Sequence, residues 1–114
     1  MSELHPEETV WLTMSELVER LHLSPSRVRR LLEDQHLAGK RVNGVLCVPE
    51  LFLDGPEPLP ELRGTLIVLA DNGFSHDESV DWMLMHEDSL GTSPILALRS
   101  GRKAEVRRIA QALA

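Results

Sequence analysis

The chain has 114 residues, 42% of them apolar, with twelve Lys and Arg against eighteen Asp and Glu for a net charge of −6, and a single cysteine. That length suits one domain, or two very small units sharing a core. A lone Cys47 excludes an internal disulfide framework and fits a reducing cytoplasm. No run approaches the roughly 18 apolar residues of a membrane span, and the N-terminus carries acids where a signal peptide needs bases, so the sequence-based expectation is a cytoplasmic protein with no membrane contact.

Residues 1–10 are rich in Glu and lack apolar periodicity, which predicts a flexible acidic tail. Thr13 followed by Glu16 is a capping box, and Leu17, Val18 and Leu21 share one face, predicting a helix over about 14–22. Ser24 as N-cap and Pro25 at the first helical position open a second helix that runs to about Asp34. It turns Val28, Leu31 and Leu32 inward and Arg27, Arg29 and Arg30 mostly outward. Residues 40–42 and 45–48 flank Asn43-Gly44, the dipeptide that best accepts the two positive φ angles of a tight hairpin, so a two-stranded wing is expected there.

Residues 54–60 hold three prolines and a glycine, which marks a linker between residues 11–53 and a helical region over 61–114. In that region helices are expected over 60–72, over 76–86 behind a Ser75/Glu78 capping box, from Pro94, and after Gly101 with Val106, Ile109, Ala110 and Leu113 inward. The predicted fold class is therefore mostly α: an N-terminal winged helix-turn-helix with a β-hairpin wing, plus a C-terminal helical region.

Charge is segregated along this plan. Residues 1–19 carry −5, residues 20–41 carry +4, residues 42–49 are neutral, residues 50–98 carry −9 and residues 99–114 carry +4. The first positive block coincides with the second helix and the wing. A local field of this kind, rather than the net charge, decides what a surface attracts.

In a helix-turn-helix the second helix enters the major groove. Arg27 and Arg30, three apart on one face, suit guanine O6 and N7 or phosphates, with Arg29 beside them. Ser24 and Ser26 suit phosphate at the helix N-terminus, while Lys40, Arg41 and Asn43 on the wing suit the neighbouring backbone or minor groove. The partner expected is double-stranded DNA. Arg102, Lys103, Arg107 and Arg108 are open to two roles, further phosphate contacts or pairing with the protein's own acids. His5, His22, His36, His76 and His86 lack metal-binding spacing, Cys47 reads as an inert strand residue, and there is no phosphate loop or nucleophile elbow, so neither an enzyme nor a cofactor is expected.

Over residues 12–48, Leu12-Thr13-x-x-Glu16, Ser24-x-x-x-Val28-x-Arg30-x-Leu32 and the basic strand before the turn resemble the winged helix-turn-helix of the MerR and excisionase type. From Trp11 to the end, through LPELRGTLIVLADNGFSHDESVDWML, Ser89-Leu90, Pro94-x-x-Ala97-Leu98 and Glu105-Val-Arg-Arg, the chain resembles a family of small actinobacterial DNA-binding proteins known as substrates of the mycobacterial serine/threonine kinase L. That resemblance implies a regulator of transcription or of the nucleoid, and control through a threonine in the N-terminal tail, for which Thr9 is the first candidate and Thr13 the second. Residues 80–113, with Trp82, Leu90-Gly91 and Pro94-x-x-x-Leu98, are also similar to the C-terminal domain of Xre, MbcA and ParS antitoxins, although Met83 stands where that family has Leu. This second resemblance implies dimerisation or a protein partner through the C-terminal helices. The rival reading is thus an antitoxin-like interaction module for which DNA binding is secondary.

Overall fold

The fold was obtained as a computed structural model, which describes residues 8–113. The first seven residues of the expected tail lie outside them. The last three of that tail belong to the folded body: Thr9 is buried, and the Val10 carbonyl accepts a hydrogen bond from the Glu50 amide at 2.9 Å.

Strand β1 (Trp11–Thr13) leads straight into helix α1 (Met14–Leu21). Thr13 Oγ1 accepts from the Glu16 amide at 3.3 Å, and the Glu16 carboxylate accepts from the Thr13 amide at 2.8 Å. The Thr13 backbone bond holds the Glu16 carboxyl below its ordinary pKa, with the Thr13 hydroxyl adding to it. His22 then adopts the left-handed conformation, at φ 57°, and stops the helix.

Helix α2 (Pro25–Glu33) begins behind Ser24, whose hydroxyl accepts from the Arg27 amide at 3.3 Å. Val28 is fully buried against α1, with Leu31 and Leu32 partly buried beside it. Strands β2 (Lys40–Val42) and β3 (Val45–Pro49) form the wing, and Asn43 and Gly44 take φ 53° and 82° as a type I′ turn requires. The wing hairpin gains a third strand: β1 pairs antiparallel with β3, giving the order β1-β3-β2. A three-residue strand has no local signature. It exists because β3 offers it an edge.

The segment after β3 packs rather than merely spans. A 3-10 turn over Glu50–Phe52 feeds β4 (Leu53–Asp54), which pairs with β5 (Glu57–Pro58) around Gly55. Phe52 is fully buried and Leu59 nearly so. Arg99 donates Nη1 to the carbonyls of Leu51 and Leu53, at 2.9 and 2.6 Å, tying this corner to the C-terminal helices.

Helices α3 (Leu62–Asp71), α4 (His76–Leu84), α5 (Pro94–Arg99) and α6 (Lys103–Gln111) complete the chain. Ser75 and Glu78 form the second capping box, and its backbone bond holds the Glu78 carboxyl below its ordinary pKa. Helix α4 ends two residues before the expected limit, because Met85 is already extended. Of the residues expected inward on α6, Val106 and Ala110 are buried and Ile109 half-buried, whereas Leu113 lies beyond the helix end and is exposed. One apolar cluster runs from Leu12 and Val28 through Phe52 to Leu98 and Ala110, so the two halves share a core.

Candidate nucleic-acid interface

The α1–α2 unit presents α2 outward because only its Val28 side is fully buried. Arg27, Arg29 and Arg30 are all exposed, and none makes an ion pair or side-chain hydrogen bond among the described residues. The helix divides them. Arg27 and Arg30 line one groove with Leu23, Leu31, Asp34 and His36, and Arg29 lies on the other side of the helix. His36 in this groove escaped the sequence reading, since it follows the helix and depends on the bend over Asp34–His36 to reach Arg30.

At the start of α2, Ser24 and Ser26 are exposed, with their hydroxyl oxygens 3.2 Å apart. Ser24 Oγ is engaged as the helix cap, so its remaining capacity for a phosphate is as a donor. On the wing, Arg41 and Asn43 are exposed, and Arg41 Nη1 donates to the Gly44 carbonyl at 3.2 Å, which lays the guanidinium along the turn.

Lys40 is placed differently from its neighbours. Its Nζ contacts Asp81 Oδ1 on α4 at 2.6 Å, an ion pair spanning 41 residues of sequence. Arg63 of α3 similarly donates Nε to the Asp34 carbonyl at 2.8 Å, just past the end of α2. Neither Asp81 nor Arg63 has a local sequence signal for this role, because each acts on an element far away in the chain. Both come from the C-terminal half, and both act on the elements that present the basic face.

Most of the C-terminal bases serve the fold. Arg102 pairs with Glu105 at 2.9 Å and donates to the Leu90 carbonyl, and the same pair raises the Arg102 pKa while holding the Glu105 carboxyl low. Arg107 donates to the Glu61 carbonyl at 3.1 Å and lies over Gly64, where a Cβ would strike its guanidinium. Lys103 and Arg108 remain exposed.

Thr9, with only 9% of its surface accessible, sits beside β1 and next to the backbone bond that fastens Val10 to Glu50. Cys47 is buried in β3, and burial pushes its thiol pKa up. Among the described residues no three His, Cys, Asp or Glu side chains converge as a metal site, and no helix is long and apolar enough to cross a membrane.

Comparison with known proteins places both halves. Residues 2–53 match the family described as "DNA-binding protein Rv2175c, wHTH domain", and residues 59–114 match the "Rv2175c C-terminal domain of unknown function". The protein named "DNA-binding protein Rv2175c" of Mycobacterium tuberculosis (strain ATCC 25618 / H37Rv) is 27% identical, over 97% of this chain and 84% of that protein. The solved structure titled "NMR structure of Rv2175c" superposes with a TM-score of 0.86 at 26% identity, covering all of this chain and 86% of the other. The three-stranded wing, the outward α2 and the helices braced against them are thus the two domains of the Rv2175c family, a winged helix-turn-helix followed by that family's C-terminal domain.

Proposed function

We propose that this protein binds double-stranded DNA, with α2 in the major groove and the wing on the adjacent backbone, and that it reads sequence as a regulator of transcription or of the nucleoid. The observation that carries this reading is the set of three exposed arginines on α2 that make no ion pair or side-chain hydrogen bond among the described residues. Guanidinium groups on a solvated helix are drawn to phosphate and to guanine edges, and no carboxylate among the described residues is paired with these three. Arg27 and Arg30 are the base-reading pair, and Arg29, Ser24, Ser26, Arg41 and Asn43 hold the backbone. The relative from Mycobacterium tuberculosis is named a DNA-binding protein, which supports the same partner.

Phosphorylation of Thr9 by a serine/threonine kinase belongs to this reading as its switch. Thr9 is nearly buried, so a kinase reaches it only once residues 8–10 detach from the folded body. The nearly doubly negative phosphate then prevents their return and repels the DNA backbone.

The test is a titration of duplex DNA over a series of salt concentrations. Neutralising Z phosphates gives a slope of about −0.9Z in log affinity against log salt, so Arg29 and Arg41 on the backbone predict a slope of about −2. Affinity independent of salt contradicts the reading.

A further inference from the structure

The C-terminal half meets the basic face at Lys40. Helix α4 packs on β2, and Asp81 of that helix holds Lys40 Nζ at 2.6 Å. The two side chains are 33% and 52% exposed, so a competing anion reaches the pair from solvent. Asp77 and Glu78, one turn earlier, are exposed on the same helix and keep the local field negative. Among the described residues, Lys40 is the one cation proposed to meet DNA that is paired with a carboxylate.

A carboxylate and a backbone phosphate are the same kind of acceptor for an ammonium group. We propose that Asp81 is an internal competitor for the DNA backbone: it holds Lys40 back from phosphate until a duplex seated on α2 displaces it. The proposal rests on the DNA-binding reading and gives the C-terminal half a part in it. On a duplex held loosely, Lys40 stays with Asp81 and one phosphate contact is missing, which lowers adhesion to arbitrary sequence.

The test uses the full chain and a short mixed-sequence duplex. Asp81→Asn is expected to tighten binding about two- to fivefold, the range of an exposed ion pair. It is also expected to steepen the salt slope by about 0.9, the signature of one added phosphate contact. In a Lys40→Ala background the same substitution is expected to change neither quantity. Unchanged or weaker binding by Asp81→Asn, an unaltered slope, or an equal gain in the Lys40→Ala background overturns the proposal, the last because it would mark a general charge effect. Asp81→Ser gives the same reading if the Asn variant does not fold. If the wild type shows no salt-dependent DNA binding, the DNA reading falls first; if it binds and Asp81→Asn does not exceed it, only the role of Asp81 falls.

Discussion

Replacing Arg27 and Arg30 together by Ala is expected to weaken duplex binding by about 30-fold or more. Each well-placed arginine contact to a base is worth about 1–3 kcal/mol, so two give roughly 2–6 kcal/mol. Both side chains are exposed and make no bond within the described residues, so their loss leaves the fold intact. Alanine is also the better helix former, and the thermal midpoint should hold or rise slightly. Arg108→Ala, on the exposed side of α6, is the control and should cost less than about twofold, since exposed charges remote from a contact act only through a screened field. Comparable losses in the two variants, read by fluorescence anisotropy at matched salt, would mean that the positive charge is used without regard to position.

The second large effect is on stability. Phe52 is fully buried at the corner where the wing passes into the C-terminal half, flanked by the two carbonyls that Arg99 holds. Truncation to Ala leaves a cavity in the shared core and is expected to cost about 3–5 kcal/mol. That is a large part of the roughly 5–15 kcal/mol that holds a domain of this size folded. Because one cluster serves both halves, the loss should be felt in both. Trp11 lies in β1 and Trp82 in α4, so single-tryptophan versions made with Trp82→Phe or Trp11→Phe report each half in turn. Coincident denaturant midpoints, lowered together by Phe52→Ala, are the expected result. A midpoint that moves for one tryptophan and not the other would separate the halves into independent folding units.

These two predictions differ in how far their grounds are visible in the amino-acid sequence. Whatever is decided within four or five residues reads directly: the Thr13/Glu16 and Ser75/Glu78 boxes, Pro25 and Pro94 behind their serine caps, and the Asn43-Gly44 turn. The arginines of α2 belong to this class, because a helix period that turns Val28 inward leaves Arg27, Arg29 and Arg30 off the buried side. What depends on distant partners does not read. The β1 strand takes its conformation from β3, and residues 54–58, dense in proline and glycine, form a hairpin because Phe52 and Leu59 bury on either side of it. The partnership of Lys40 with Asp81 spans too much sequence to be inferred from either residue, and a lysine on the wing looks free until α4 is placed beside it. Leu113 shows the opposite failure, since its helical period continues past the point where the backbone bonds of α6 end.

The charge pattern connects the two levels. The acidic stretch over 50–98 supplies Asp81 to the wing, while Arg107 bonds a backbone carbonyl, that of Glu61, at the start of α3. The basic stretch at the C-terminus is then largely consumed by internal carbonyls and by Glu105. The exposed cations that make no side-chain bond among the described residues are Arg27, Arg29 and Arg30 on α2, with Lys103 and Arg108 on α6.

The measurement that tests this account most directly is a nuclear magnetic resonance titration of the isotope-labelled protein with a short duplex. The account predicts that amide shifts concentrate on residues 24–30 and 41–44, with the Arg27 and Arg30 side-chain resonances moving furthest. Shifts centred on α4 to α6, with residues 24–30 unmoved, would contradict it.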